Sequence, residues 1–538
     1  MGPIMPSEKT EASFEKQKGL HRIATNYGRL IATMAMGIAT VPLQIKWLGM
    51  EGFGLIGLVG SSIGIGGMLQ DMMRSSMVRE LGDAWHKRSD GKFHHSYAAS
   101  FHVCAYVTVL TAMVFTGIIF ILPLLDIPSQ WVGSAQWIAA CSGLSTCLIV
   151  FLAPTINMLV VREYFFWHNF WTVARRSAYL IATIIPFLIL NVTDIPKGLT
   201  MFGYIVLIVN TVSTLALLVG FVVFDRRMLP TFKGSTREAM KKVAGTFGWN
   251  SGVVGAMNLH ERVANFIMNF YFGLWGNAIF SLSLRLVSYI RMASLGLTFG
   301  LDSVSARLSS TADHTTLQSM FRHSTRMLGF VAFPAMVVVF VLAEPLLRMW
   351  VGRSLPNPAE VLPSAELLVK IMVIGLACRA VSDGWMKLFY GAGHIRKYAP
   401  YVFAGGLFNP VLSILLILLL PKSTSFTGAA IAYSAVFFVV HVVIMPKVTA
   451  KSVGLTLGKI LRPSIRPLVI SIAVSPALFA TGYFSDGDLV NWTGVMGGVF
   501  AYGTTYAAAS WWFLLSRSER KGVQRLVGQL VSRQTVAP

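Results

Sequence analysis

The stretch NLHERVANF, Asn258–Phe266, places His260, Glu261 and Arg262 side by side within an apolar run from Thr246 to Phe280. A helix needs about 20 apolar residues to cross a lipid bilayer, and this run is long enough. At the centre of a bilayer each charged side chain costs about 2.5–3.5 kcal/mol on insertion scales. Charges kept at that cost need water, partner helices or an oppositely charged ligand.

The whole chain has the composition of a membrane protein. Of its 538 residues, 54% are hydrophobic and 13% are charged, and the mean hydropathy is +0.63. Soluble domains are nearer 25% charged. We therefore predict an all-α integral membrane protein that crosses the bilayer many times.

Fourteen apolar stretches of about 18 residues or more, separated by short polar breaks, are predicted to be transmembrane helices. They lie at 23–46, 52–76, 97–124, 131–160, 170–190, 199–224, 246–271, 277–305, 325–348, 365–390, 398–420, 425–446, 465–484 and 490–515. The second and the eighth are less apolar than the others, which indicates that they line a wet space.

The basic residues favour an even number of spans. The chain has 45 Lys and Arg against 23 Asp and Glu, for a net charge of +22. If the N-terminus is cytoplasmic and the loops alternate, most of these basic residues fall on the cytoplasmic side, as membrane proteins prefer. We expect both termini in the cytoplasm, contacts with membrane lipids and no nucleic-acid partner.

A faint internal repeat indicates two lobes. WLGMEGFGLIGL (Trp47–Leu58) and YFGLWGNAIFSLSL (Tyr271–Leu284) each join two predicted helices, and their glycines match at an offset of 224 residues. Two six-helix lobes around a central cavity are typical of transporters with such repeats. The predicted organisation is an N-terminal arm (1–22), a first lobe (23–224), a basic cytoplasmic linker (225–245), a second lobe (246–446), two extra C-terminal helices (447–515) and a basic amphipathic tail (516–538).

Polar residues recur at helical spacing on the first, seventh and eighth predicted helices. One interpretation is tight helix packing with interhelical hydrogen bonds or ion pairs. The other is a cationic cavity that binds an anion, because arginines outnumber the nearby acids. On the second interpretation the candidate substrate-binding residues are Asn26, Arg29, Arg262, Asn265, Arg285 and Arg291. Glu261 and Asp302 are then candidates to bind a coupling cation or to orient an arginine.

The tenth predicted helix carries charges that balance one another. Arg379, Asp383 and Lys387 lie at i, i+4 and i+8, on one face of the helix. An internally paired strip explains this spacing as well as a substrate contact does. We assign Arg379 and Asp383 to the coupling or orienting residues.

The sequence does not indicate an enzyme. It contains no nucleotide-binding glycine loop, no H-E-x-x-H and no nucleophile elbow. The four cysteines lie within apolar runs and lack metal-ligand spacing. We expect no metal site and no cofactor, apart from a coupling Na⁺ or H⁺.

Several segments together resemble a known family. They are NYGRL and PLQIKWLGMEGFGLIGL near the start, ERVANFIMNFYFGLWGNAIFSLSLRL in the middle, and LAEPLLRMWVG and LFYGAGHIRK further on. In this order they are similar to the polysaccharide-transport branch of the multidrug/oligosaccharidyl-lipid/polysaccharide (MOP) exporter superfamily, which includes the O-antigen and capsule repeat-unit flippases. On that pattern Glu261 and Arg262 match an acidic–arginine pair, and Arg285 matches a basic position.

The resemblance implies a flippase of the bacterial cytoplasmic (inner) membrane that carries an undecaprenyl-pyrophosphate-linked oligosaccharide by alternating access. It implies a glycan polymerase and glycosyltransferases as partners. Three alternatives stay open: a flippase for a peptidoglycan lipid precursor, a multidrug exporter of the same fold, and a membrane glycan polymerase or ligase. The last would need a large outer loop, which the sequence lacks.

Overall fold

The computed structural model describes residues 8–86, 92–245, 248–295, 298, 301–310, 314–480, 492–517, 519–522 and 524. Within these residues the chain is helical and contains no β-strand. The helices are α1 Glu8–His86, α2 Lys92–Ile121, α3 Ser129–Phe151, α4 Ala153–Val161, α5 Phe165–Ile184, α6 Ile195–Phe224, α7 Arg237–Gly245, α8 Gly248–Asn258, α9 Ala264–Leu295, α10 Leu301–Ser310, α11 His314–Val341, α12 Ala343–Val351, α13 Pro358–Ala380, α14 Asp383–Gly391, α15 Ala399–Leu419, α16 Gly428–Phe437, α17 Met445–Val453, α18 Leu457–Ala473 and α19 Trp492–Phe513.

The prediction of an all-helical, multi-pass membrane protein is confirmed. Helices cover most of the described part of every predicted span. Within the described ranges, nine helical segments are long and apolar enough to cross a membrane. Some predicted spans are divided between consecutive helices, as at α8 and α9 or at α13 and α14, and the latter pair is one of the nine segments.

Within the described residues, three of the spans contain a π-helical segment, in which the backbone hydrogen bonds reach one residue further than in an α-helix. These segments are Ile185–Ile189 after α5, Leu259–Val263 between α8 and α9, and Phe438–Ile444 between α16 and α17. Such segments are often found at functional sites. The second one contains the charged residues of the opening stretch.

The repeated glycine segments form turns with the same backbone conformation. Gly49 has φ 72° and ψ −178°, and Gly273 has φ 62° and ψ −164°. This region of φ and ψ is essentially restricted to glycine. Each turn therefore breaks a helix at the matching position of the repeat.

The second glycine of each repeat is needed for space. A Cβ atom at Gly52 would lie 2.6 Å from the Cβ of Leu48, and one at Gly276 would collide with the Cβ of Phe272. In both turns the residue before the first glycine folds back over the second glycine. The offset of 224 residues therefore corresponds to one shared turn geometry.

The described chain forms two compact units that are discontinuous in sequence. The first contains the residues up to Met292 together with Trp350–Leu368 and Ile395–Val436, and the second contains Ala293–Met349, Val369–His394 and the residues from Phe437 onward. In the first unit one apolar core surrounds Leu55 and Phe202. In the second unit a core forms around Leu342 and Tyr502. The predicted lobes, 23–224 and 246–446, stay predictions.

The basic linker after α6 is held to the first unit by acids. Asp225 binds the guanidinium groups of Arg162 at 2.9 Å and Arg227 at 3.1 Å, and Glu80 binds Lys242 at 3.1 Å. Burial opposes ionisation of Asp225, but hydrogen bonds from Arg227 and the two positive charges outweigh it and keep its pKa below the usual range. The two ion pairs of Asp225 therefore persist at neutral pH.

In the first unit the part of α1 after Gly49 packs closely against α9. A Cβ at Gly54 would collide with the Leu274 carbonyl oxygen, and one at Gly57 would lie 2.5 Å from Ser281 Oγ. Asn277 donates from Nδ2 to the Gly54 carbonyl at 2.8 Å. Small residues thus allow the close helix approach that is common in membrane proteins.

We predict that Gly54→Ala destabilises the protein, because the new methyl group must push two backbones apart. The expected loss is about 1–3 kcal/mol, seen as a lower midpoint of thermal unfolding in detergent. Gly60→Ala is the matched control on α1, since nothing lies within 4 Å of its Cβ position. The control should unfold at the wild-type temperature or slightly above it, because alanine favours helix by about 1 kcal/mol. Equal midpoints for both variants would contradict this packing.

Candidate functional site

The charged residues of the opening stretch lie in the π-helical segment Leu259–Val263. The Asn409 side chain of α15 donates from Nδ2 to the His260 carbonyl at 3.3 Å. One turn earlier on each helix, Gly406 lies so close to Ala256 that a Cβ would be 2.6 Å from its Cα. Helix α15 therefore supports the segment from one side, and the His260 side chain is buried.

The turn at Gly273 sets the register of the hairpin that follows. Asn265 and Ser281 are both eight residues from Gly273, and Ser281 Oγ donates to Asn265 Oδ1 at 3.1 Å. Arg262 and Arg285 lie eleven and twelve residues from the same glycine. At 1.5 Å per residue both arginines start about 16–18 Å from the turn. Two antiparallel helices thus bring two cations to the same depth.

These two arginines belong to a cluster around Tyr179 on α5. Tyr179 interacts electrostatically with Arg175, Arg176, Arg262 and Arg285, and Arg285 interacts in turn with Arg262. Arg262 and Arg285 are half-buried, whereas Arg176 is exposed. The cluster therefore concentrates positive charge around one phenol ring within the first unit.

Aromatic rings hold two members of this cluster. The Arg285 guanidinium lies 5.1 Å from the centroid of the buried Phe53 ring, and that of Arg175 lies 4.9 Å from the Trp171 ring. Such cation–π contacts stabilise a guanidinium without cancelling its charge. Arg175 is thereby drawn toward Trp171.

Three arginines of the cluster have no carboxylate partner within the described part of the chain. Among the described side chains, Arg176, Arg262 and Arg285 form no ion pair with Asp or Glu. The buried Nε of Arg262 also has no hydrogen-bond partner among the described groups. A buried donor without a partner costs free energy, so an anion that binds here gains from satisfying it.

Arg175, Arg176 and Tyr179 were missed as site residues at the level of sequence. All three lie in the predicted span 170–190 and in α5, but the polar residues considered there were those of the first, seventh, eighth and tenth predicted helices. A usable signal was the stripe Asn169, Thr172, Arg176, Tyr179 and Thr183, with intervals of three and four residues.

The α5 stripe faces the predicted polar stripe of α1. Asn169 Nδ2 donates to Asn26 Oδ1 at 3.1 Å, and Gln44 Nε2 donates to Thr183 Oγ1 at 3.3 Å. Asn26 and Asn265 are therefore buried residues that hold helices together. For these two asparagines the structure matches the interpretation of interhelical hydrogen bonds.

Four predicted residues remain to be placed: Arg29, Arg291, Glu261 and Asp302. Arg29 and Arg291 are half-buried. The backbone of Glu261 lies in the π-helical segment, and that of Asp302 lies in α10 of the second unit. The side chains of Glu261 and Asp302 lie outside the described part of the structure, so their coupling role stays a prediction.

Arg379 and Asp383 form an ion pair in the second unit, with Nε 3.2 Å from Oδ1 and side chains only 3% and 7% exposed. The span is interrupted between Ala380, where α13 ends, and Asp383, where α14 begins. Lys387 is exposed, so the predicted balance of three charges is reduced to one pair.

A buried histidine extends this pair into a network. His441 Nδ1 lies 2.6 Å from Ser382 Oγ at the break between α13 and α14. The Phe437 ring contacts both His441, with centroids 5.2 Å apart, and the Arg379 guanidinium, at 5.2 Å. This internal network stabilises a broken helix and is chemically distinct from the arginine cluster of the first unit.

Within the described ranges, no group of three or more His, Cys, Asp or Glu side chains could hold a metal ion. The four cysteines are free, and none pairs with another.

Comparisons with known proteins agree with this architecture. A protein-family model described as MatE matches residues 254–415, which include the π-helical segment and the Gly273 hairpin. No curated protein matches the chain significantly by sequence. The chain resembles the structure of the lipid II flippase MurJ in an inward closed conformation, with a TM-score of 0.64 and 13% identity over 90% of this chain and 98% of that one.

Two further structures share the fold. One is an inward-facing multidrug resistance MATE family transporter of the MOP superfamily, with a TM-score of 0.65 and 13% identity over 80% of this chain and 99% of that one. The other is a MOP superfamily transporter from Pyrococcus furiosus described as having a binding pocket of reverse polarity, with a TM-score of 0.59 and 14% identity over 81% and 96% of the two chains. The chain therefore has the fold of MOP-superfamily transporters, as the sequence resemblance implied.

The buried pair yields a prediction about stability. Asp383→Asn leaves the charge of Arg379 buried without its carboxylate, and we expect a loss of about 3–5 kcal/mol in the free energy of unfolding. The control is Glu344→Gln, which removes an acid from a pair of the same i, i+4 spacing with Arg348. Those side chains are about one-third exposed, so this loss should stay below about 1 kcal/mol. Thermal unfolding in detergent compares the two variants. Similar shifts of the unfolding midpoint would show that burial does not make the Arg379 pair more important for stability than the exposed pair.

Proposed function

We propose that this chain is a flippase that translocates a polyprenyl-pyrophosphate-linked oligosaccharide across the bacterial cytoplasmic membrane by alternating access. It acts as a transporter and not as an enzyme. The MOP-type fold supports transport in general. The observation that carries the choice of substrate class is the arginine cluster around Tyr179, in which Arg176, Arg262 and Arg285 form no ion pair with the described side chains.

A pyrophosphate matches the chemistry of this cluster. It carries about two negative charges or more and presents several acceptor oxygens, which arginine forks bind in pairs. Each half-buried guanidinium is costly in a membrane when it stands alone. Binding the anion offsets this cost and also shields the anion from the lipid.

The roles of individual residues follow from their positions. Arg262 and Arg285 lie at one depth on two helices and can bind the same group from two sides. The exposed Arg176 completes the cationic surface on α5. The Tyr179 hydroxyl adds a neutral donor, and the Phe53 ring keeps Arg285 in place.

Movement of the cargo requires two states that bind it differently. We propose rocking of helical lobes around the site, driven by a difference in binding free energy between inward-open and outward-open forms. A sodium or proton gradient is the proposed driving force. We propose that both termini lie in the cytoplasm. Glycosyltransferases supply the cargo on that side of the membrane, and a glycan polymerase consumes it on the other side.

A peptidoglycan lipid precursor is the second candidate, favoured by the likeness to the lipid II flippase over 90% of this chain. It carries the same pyrophosphate, so the arginine cluster serves both cargoes. A multidrug exporter for cationic compounds needs acidic groups in its pocket, and the cluster around Tyr179 has the opposite charge.

We predict that Arg262→Gln and Arg285→Gln each slow translocation of a fluorescent polyprenyl-pyrophosphate oligosaccharide by about 10- to 100-fold. This range corresponds to the loss of one charged hydrogen-bonding group, about 1.5–3 kcal/mol. Arg262→Lys keeps the charge without the fork and should lie between wild type and Arg262→Gln. The assay measures the label that becomes protected across the membrane of proteoliposomes.

The control is Arg353→Gln, which removes an exposed arginine outside the cluster and should leave the rate unchanged. A peptidoglycan lipid precursor in parallel vesicles tests the second candidate, and a cationic dye tests drug export. Wild-type rates in both Arg262→Gln and Arg285→Gln would refute the proposed site.

A further inference from the structure

A second basic site lies in the second unit, at the beginning of α18. An open groove of about 640 Å³ is lined there by Thr456, Gly458, Lys459, Leu461, Arg462 and Ile465. The volume lies within the range of ligand sites. None of the lining residues is acidic, and Gly458 leaves the groove open, since nothing lies within 4 Å of its Cβ position.

The charge of this groove is not balanced. Between Asp383 and Asp486 the sequence has no acidic residue. Among the described side chains, Lys459 and Arg462 form no ion pair, whereas Arg227 and Lys242 of the basic linker after α6 are paired with Asp225 and Glu80. The groove therefore presents two cations that no described acidic side chain balances.

Helix α18 has two distinct faces. Ile460, Ser464, Pro467 and Ser471 are buried, and Tyr502 on α19 donates its hydroxyl to the Ser471 carbonyl at 3.0 Å. The other face is exposed. It begins with Lys459 and Arg462, followed by Arg466 at the level of Ile465. The apolar residues Ile465, Val469 and Ile472 are 52%, 56% and 55% exposed.

The length of the exposed face matches one leaflet of a bilayer. From Arg462 to Ile472 the helix rises about 15 Å, which is half of a hydrocarbon core about 30 Å thick. With the basic turn at the level of the headgroups, the apolar residues reach the mid-plane. A phospholipid beside α18 would place its phosphate at Lys459 and Arg462 and its acyl chains along Ile465, Val469 and Ile472.

We propose that the start of α18 is a binding site for an anionic phospholipid, which is held by Lys459 and Arg462 at the headgroup and by the exposed apolar face below. Two unbalanced cations one turn apart favour a headgroup with net negative charge over a zwitterionic one. From the usual attraction of each basic residue for anionic lipid, the preference should be about 5- to 30-fold. This site is independent of the proposed transport function.

The test compares phosphatidylglycerol with phosphatidylcholine on the full-length, delipidated protein, with bound lipids counted by native mass spectrometry. Wild type should retain one phosphatidylglycerol in preference to phosphatidylcholine. Lys459→Gln/Arg462→Gln should lose this preference. The control, Arg237→Gln/Lys241→Gln on the exposed face of α7, removes the same charge and should keep it.

A second variant tests the apolar part without changing the charge. Ile465→Asn/Val469→Asn should also lose phosphatidylglycerol, whereas a site for the headgroup charge alone would retain it. Equal binding of the two lipids by wild type would overturn the proposal without any variant. Retention of the wild-type preference in Lys459→Gln/Arg462→Gln would overturn it as well.

Discussion

The positive charge of a guanidinium inside a membrane protein must be stabilised by its surroundings. The rest of this structure depends on the two ways in which three arginines are stabilised. Arg379 is paired with Asp383 and buried, so its charge is cancelled within the fold. Arg262 and Arg285 have no such carboxylate among the described side chains, and aromatic groups stabilise their surroundings instead. The first arrangement holds a helix together, whereas the second leaves positive charge available for a ligand.

The backbone creates this difference through small residues and irregular turns. Gly273 reverses the chain in a conformation that essentially only glycine adopts, and the equal distances from it to Asn265 and Ser281 fix the hairpin register. The π-helical segment before the hairpin contains Arg262, and Asn409 binds a carbonyl within it. Cationic side chains are therefore held by rigid helices, as a site that selects one charge type requires.

Much of the fold could be predicted from the sequence, because apolar runs and glycine turns are local signals. The pairing of Arg379 with Asp383 also follows from their spacing. The π-helical segments and the break before Asp383 could not be predicted, since they depend on partners distant in sequence, such as Asn409 and His441. Arg176 and Tyr179 lie at helical spacing in the predicted span 170–190, but their proximity to Arg262 and Arg285 depends on tertiary packing that the sequence does not show.

The central claim is that the cluster around Tyr179 binds a pyrophosphate. A cryo-EM map of the protein in nanodiscs with a polyprenyl-pyrophosphate oligosaccharide tests it most directly. The account predicts phosphate density within hydrogen-bond distance, about 3 Å, of the Arg262 and Arg285 guanidinium groups. Clear ligand density elsewhere in the protein, with the cluster unchanged and the two arginines free of phosphate, would contradict it.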